Sequence, residues 1–406
     1  MKFLFDDESF DFEALRAAGF ASYGGAELGE VLATASRITD GDEAAWLREW
    51  RATAERVHAI GADCLAKGRR VSARQALLRA SNYYRTAEFY RRDNPAEDAE
   101  ARDLSNRSRE TFAQAAELFD TPVRSVSIPF QDTALPGYLF LVDDSGAPRP
   151  TVIFNSGFDS TLEEAWFVLA AAAVERGYQV LAFDGPGQGA AIREQGLTFR
   201  PDWEAVITPV VDYALSLPEV DPARIALYGY SLGGYLVARA AAFEHRLAAL
   251  VLNDGLFDYH AGNMNSLPEF LAKWVEAGRD AEALPVIGMV MAFSTTARWA
   301  LRNGTWTFGA DSPADYVRKT KPYTLDGVAH QINCPTLVLD AENDLFFRGE
   351  AQRVYAALTC QKELIVGTNA EGAGAHCHMG AMLLTNQRVF DWLDATFEAQ
   401  PVGAVA

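Results

Sequence analysis

The chain has 406 residues, 49% of them hydrophobic and 22% charged, enough for a large α/β core plus a smaller unit and in the range of soluble globular proteins. A formal net charge of −19 argues against nucleic acid and anionic membranes as partners, because both attract positive charge. Residues 1–10 lack the basic start and apolar stretch of a signal peptide, and no apolar run approaches the ~18 residues of a membrane span. Cys64, Cys334, Cys360 and Cys377 are scattered without paired spacing, which argues against a disulfide framework and for a reducing cytoplasm.

Residues 1–120 carry helical periodicity and almost no strand signal. Trp46, Trp50, Val57, Ile60 and Leu65 recur near helical spacing over 43–67, and Leu77, Leu78, Tyr84, Ala87 and Phe89 do so over 74–90. A third helix is expected over 96–119, after Asn94-Pro95. Most of these aromatic side chains are expected to pack between helices; the alternative is that Tyr83, Tyr84 or Tyr90 lines a ligand pocket.

From 123 the pattern changes to strands. Segments 123–129 and 137–142 read as a hairpin, followed by strands at 151–155, 179–183, 225–228, 247–252, 336–339 and 363–366. Helices at 162–175, 203–217, 349–358 and 381–397 fill the gaps. This alternation predicts an α/β fold whose mostly parallel sheet is covered on both faces. Residues 257–332 break the rhythm with helical segments at 268–277 and 281–299, as a cap inserted over the carboxyl edge of the sheet would. The expected organisation is a helical N-terminal domain (1–120) and an α/β domain (121–406) with a cap insertion (257–332).

Between the strand at 225–228 and an alanine-rich helix lies Gly229-Tyr230-Ser231-Leu232-Gly233. This G-x-S-x-G turn holds a serine in a strained conformation above the sheet, and its small residues let strand and helix approach. A serine nucleophile needs a base, and the base needs an acid to orient it. In the α/β-hydrolase arrangement they follow in the order Ser, acid, His. The strand at 336–339 runs into Asp340-Ala341-Glu342-Asn343-Asp344. Asp344, beyond the strand end, is the candidate acid, with Asp340 and Glu342 as alternatives. The Gly/Ala loop after the last strand presents His376-Cys377-His378, with His376 as the candidate base and His378 as the alternative. No further Cys/His cluster completes a four-ligand set, so neither metal nor cofactor is expected. Amides of Leu232 and of Phe158, in the loop after 151–155, are the candidate oxyanion donors. Asp184-Gly185-Pro186-Gly187-Gln188-Gly189 matches neither phosphate-binding pattern and reads as a tight turn. Asp159, Tyr230 and Asp258 join Tyr84 as candidate substrate contacts.

The segments NSGFDS (155–160), FDGPGQG (183–189), RPDWE (200–204), YGYSLGGYL (228–236) and AGAHCHMGA (373–381) resemble one branch of the α/β-hydrolase family. That branch contains bacterial 2,6-dihydroxypseudooxynicotine hydrolase and the fungal yellowish-green heptaketide hydrolase; esterases and fermentation-respiration switch proteins are related to it. The resemblance implies a helical domain in front of a hydrolase fold, a Ser231–Asp344–His376 triad, and hydrolysis of a carbon–carbon bond beside a carbonyl in aromatic or polyketide-like molecules. The additional acid that one relative is thought to use near its cap has no matching glutamate here, where the acids on offer are Asp254 and Asp258. The expected activity is therefore a serine hydrolase acting on a C–C, ester or lactone bond of a medium-sized small molecule. Alternatives are a carboxylesterase, a prolyl-oligopeptidase-like peptidase (which usually brings a β-propeller), an acyltransferase or cyclase, and a non-catalytic regulator. The N-terminal helices are expected to close one side of the pocket, and a homodimer interface on them stays open.

Overall fold

The computed structural model describes residues 2–399. Its centre is one eight-stranded sheet, formed by β1 (Val123–Phe130), β2 (Thr133–Phe140), β3 (Arg149–Asn155), β4 (Gln179–Phe183), β5 (Val220–Tyr230), β6 (Ala249–Asn253), β7 (Thr336–Ala341) and β8 (Lys362–Gly367). The order across the sheet is β1-β2-β4-β3-β5-β6-β7-β8. The β1–β2 hairpin pairs antiparallel, β2 joins β4 antiparallel, and all remaining pairs are parallel.

The middles of the central strands are apolar on both sides because successive side chains point to opposite, covered faces. Ile153, Leu181, Leu227, Leu250 and Val338 enter the core on one face. Their neighbours Val152, Val180, Tyr228, Val251 and Leu337 enter the core on the other. The first face packs against helices Glu204–Leu215 and Leu232–Ala241, the second against Ala171–Glu175 and Met382–Ala399. Among the described residues no helix is long and apolar enough to cross a membrane. All four cysteines are free thiols.

The chain before β1 is helical, and the structure differs from the sequence reading at its start. Helices Glu8–Gly19 and Leu28–Ala35 precede the expected ones at Glu43–Ala66, Arg70–Glu88 and Ala99–Ala116. Asp7 caps the first of them, accepting the Ser9 and Phe10 N–H groups. A separate core of Phe10, Trp46, Trp50, Tyr83, Tyr84 and Tyr90 holds these helices together and extends to Trp299. After β6 come five helices, Tyr259–Asn265, Glu269–Glu276, Asp280–Phe293, Thr295–Thr307 and Pro313–Lys319. The single helix expected at 281–299 is two, because Ser294 leaves helical geometry and its hydroxyl caps the second through the Ala297 N–H.

These inserted helices grip the N-terminal ones. Trp299 stacks on Phe89 with ring centroids 4.5 Å apart and donates its indole N–H to the Phe89 carbonyl at 3.0 Å. Arg92 Nε donates to Asn303 Oδ1 at 2.9 Å, and Arg298 pairs with Glu43 at 2.7 Å. Together the two helical layers roof the carboxyl ends of the strands.

Candidate active site

β5 ends at Tyr230, and helix Leu232–Ala241 begins one residue later. Ser231 between them has φ 58° and ψ −125°, a left-handed conformation that a non-glycine residue adopts only under constraint. The constraint is visible. Ser231 N–H donates to the Asn253 carbonyl at 2.5 Å, and the flanking glycines leave no room for side chains. A Cβ on Gly229 would lie 2.3 Å from the Gly233 carbonyl oxygen, and one on Gly233 would lie 2.6 Å from the Asn155 and Ser156 oxygens.

Ser231 Oγ is 2.9 Å from His376 Nε2, and His376 Nδ1 is 2.8 Å from Asp344 Oδ2. The structure thus brings together the three residues singled out from the sequence, from the turn after β5, the loop after β7 and the loop after β8. Asp344 Oδ1 accepts the Phe346 and Phe347 N–H groups at 2.6 and 3.0 Å, which fixes the carboxylate. Burial disfavours its charge, but the His376 charge and hydrogen bond prevail and hold it well below the usual carboxylate range. Burial likewise opposes a charged imidazole, yet Asp344 and neighbouring groups raise His376 well above its ordinary value.

The alternatives are engaged elsewhere. Asp340 accepts a hydrogen bond from Gln352, and Glu342 accepts the Asn369 N–H at 2.7 Å. His378 Nε2 donates to the Asp340 carbonyl at 2.8 Å, and burial lowers its pKa, so it ties the loop after β8 to β7 as a neutral ring. Asp254, His376 and Cys377 bring potential ligand atoms within 4.8 Å of one another. This set fits a metal poorly: both imidazole nitrogens already serve Ser231 and Asp344, and burial pushes the Cys377 thiol up to about 12.

The loop after β3 packs directly on the serine turn. A Cβ on Gly157 would lie 2.8 Å from Ser231 Cβ and 3.2 Å from the Leu232 nitrogen. The Phe158 and Leu232 N–H groups take no acceptor among the described residues. Two sequence segments brace this loop. Gln188 Nε2 donates to the Ser156 and Gly157 carbonyls at 2.6 and 3.0 Å, and its Oε1 accepts the Gly185 N–H at 3.0 Å. Trp203 Nε1 donates to Asn155 Oδ1 at 2.7 Å. The DGPGQG turn and the RPDWE segment thus act as struts for the residues beside the serine.

Ser231 and His376 open into a cavity of about 420 Å³, within the roughly 300–1,000 Å³ of small-molecule sites. Phe158, Tyr259, Trp299, Tyr316, Phe346 and Phe347 give it an aromatic wall, and Tyr230 and Asp159 also line it. The first helix supplies Phe12, Glu13 and Arg16, which the sequence reading missed. Arg16 donates to Asp159 Oδ2 at 2.6 Å and through Nε and Nη2 to Glu164 at 3.0 and 2.9 Å. Arg85 joins Glu13 to Glu164. Burial opposes the Asp159 charge, but Arg16 and Arg85 keep its pKa lowered.

Two candidate substrate contacts are corrected. Tyr84 lies outside the cavity, with its hydroxyl 3.1 Å from His58 Nδ1 and Arg107 over its ring. It faces across the N-terminal helices because its position on Arg70–Glu88 turns it toward Glu43–Ala66. Asp258 is also outside the lining. It caps helix Tyr259–Asn265, accepting the Ala261 N–H at 2.8 Å.

Comparison with known proteins shows the family and the fold. The FrsA-like esterase family matches residues 34–263. The 20-hydroxy-prefusarin hydrolase of Gibberella moniliformis is 37% identical, over 97% of this chain and 98% of its own. The hydrolyase poxO of Penicillium oxalicum is 36% identical, over 96% and 97% respectively. The crystal structure of 2,6-dihydroxy-pseudo-oxynicotine hydrolase superposes with a TM-score of 0.74 at 22% identity, covering 94% of this chain and 96% of that one, which extends the likeness of fold across both helical layers. The chain is an α/β-hydrolase enzyme and belongs to the FrsA-like esterase family.

Proposed function

We propose that the enzyme is a serine hydrolase that cleaves a C–C bond beside a carbonyl, or an ester or lactone bond, in a medium-sized aromatic or polyketide-like molecule. The observation that carries this reading is the hydrogen-bonded chain Ser231–His376–Asp344 opening into an aromatic cavity. His376 Nε2 takes the Ser231 proton as Oγ attacks the carbonyl, and Asp344 stabilises the imidazolium through Nδ1–H. Phe158 and Leu232 N–H groups receive the oxyanion. His376 then returns its proton to the leaving carbon or oxygen, and water releases the acyl group by the reverse sequence. The roof of inserted and N-terminal helices supports a small substrate over a polypeptide. The relative's action on 20-hydroxy-prefusarin supports the same class.

A fluorophosphonate probe is expected to label the wild type at Ser231 and to leave Ser231→Ala unlabelled; equal labelling of both would remove the serine from the mechanism. Acyl-phenol ketones are expected to turn over alongside p-nitrophenyl esters. Rapid ester turnover with inert ketones would restrict the enzyme to esters.

The strut geometry gives a second expectation. Gln188→Ala releases the Ser156 and Gly157 carbonyls and loosens the loop that carries Phe158. We expect kcat to fall by about 10- to 100-fold, less than the ~10²–10³ of losing a donor outright. Steady-state kinetics check this, and KM is expected to change little because the oxyanion contact forms in the transition state.

A further inference from the structure

The sheet places a second carboxylate behind the histidine. Asp254 follows β6, next to the strand whose loop carries Asp344. Its Oδ2 lies 2.8 Å from His376 Nδ1, the same distance as Asp344 Oδ2. The same oxygen accepts the Cys377 N–H at 3.0 Å, so it also pins the residue after His376. Asp254 is buried and does not line the cavity. It can act only through the ring, not on substrate.

Two buried carboxylates sharing one N–H cannot both carry charge without strong repulsion, so the pair holds one negative charge and one proton. Every titratable group facing Asp254 fits this count. Asp344 approaches from the loop after β7, His376 and Cys377 from the loop after β8, and Tyr228 from β5. Burial keeps the thiol and the phenol neutral. Burial first, and the Asp344 charge second, push Asp254 up to about 7, so the shared proton resides on Asp254.

We propose that Asp254 is a positioning residue that forms, with Asp344, a two-acid backing for His376, and that either acid can hold the Nδ1–H bond alone. The proposal rests on the serine-hydrolase reading above. Its logic is conservation of charge. Converting either aspartate to asparagine removes one carboxyl group and leaves the other ionised, so the ring still faces one negative charge. In Asp344→Asn the Asp254 proton goes to solvent, and Asp254 accepts the Nδ1–H. Only the double variant leaves the imidazolium without a counter-charge.

The test is a series of kcat/KM against pH for the wild type, Asp254→Asn, Asp344→Asn, Asp344→Ala and the double Asn variant, each checked for folding by circular dichroism. We expect Asp344→Asn and Asp344→Ala to lose about 10- to 100-fold, and the double variant about 10⁴-fold, the loss seen when a triad is left without a working acid. Asp344→Ala guards against an amide turning its N–H₂ toward the ring. Asp254→Asn is expected to move the low-pH limb to lower pH, because a hydrogen bond that favours the protonated ring is gone; a purely structural loss would lower the rate without moving that limb. The proposal is overturned if both Asp344 variants fall as far as the double variant, or if the limb of Asp254→Asn stays in place. Retained activity and labelling in Ser231→Ala would instead overturn the serine reading, so the two failures are separable.

Discussion

Replacement of His376 by alanine is expected to lower kcat by a factor on the order of 10⁶, since losing the base of a serine–histidine pair costs about as much as losing the serine. The ring makes both contacts that matter, with Ser231 Oγ at 2.9 Å and Asp344 Oδ2 at 2.8 Å. Nothing nearby among the described residues can replace it. His378 is held by the Asp340 carbonyl and Thr385, and the Cys377 thiol is kept protonated by burial. KM is expected to change little, because substrate packing against the aromatic wall does not depend on the imidazole. The control is His378→Gln. It breaks buried hydrogen bonds that anchor the loop to β7 and should destabilise the fold by about 1–3 kcal/mol, with a far smaller effect on kcat. Stopped-flow or steady-state rates on an activated ester, alongside thermal melts, separate the two. If His378→Gln loses as much rate as His376→Ala at equal foldedness, His376 is not the base.

The parts of this site that were legible from sequence are those whose signal is local. A buried strand, a glycine-flanked serine and an alanine-rich helix are contiguous, and the constraint at Ser231 acts between neighbours. Asp344 and His376 were legible because loops after late strands converge on one sheet edge. Asp254 was visible as an acid, but its place behind His376 depends on β6 and β7 lying side by side, which no local pattern announces. The first helix was missed for a different reason. Its inward face carries Glu13 and Arg16 between Phe10 and Ala17, so hydrophobic periodicity is interrupted where the helix is most buried. The usable signal was Asp7 followed by Glu8-Ser9-Phe10, an N-cap before an amphipathic segment. Of the inserted helices two were expected; the short ones at Tyr259–Asn265 and Pro313–Lys319 and the break at Ser294 were not, since a serine cap inside an apolar run is hard to tell from a helical serine.

Loss of Arg16 is expected to be the most damaging single change outside the reacting groups. Its side chain is 5% exposed and meets three carboxylates, those of Glu13, Asp159 and Glu164, with Arg85 as a second cation shared by Glu13 and Glu164. In Arg16→Ala, Arg85 alone is left to pair with buried Glu13 and Glu164, and Asp159 loses its ion pair. Breaking such a buried network typically costs about 3–5 kcal/mol, because the remaining charges are neither solvated nor paired. Arg16→Lys should recover only part of this, since an ammonium cannot span Glu164 with two parallel bonds and reach Asp159 as well. Denaturant unfolding should show the loss in the midpoint at unchanged slope. Catalysis should follow stability: Asp159 adjoins Phe158, and the ion cluster fixes the first helix against the loop that packs on Ser231. We therefore expect Arg16→Ala to lower kcat/KM even under conditions where it is fully folded, whereas substitution of the exposed pair Lys67–Asp63 should change neither quantity. An Arg16→Ala protein as stable as the wild type would mean that the three carboxylates find solvent or protons at little cost. The N-terminal helices would then be held over the cavity without the ion cluster, through Phe12, the contact of Phe89 with Trp299 and the Arg92–Asn303 and Arg298–Glu43 pairs.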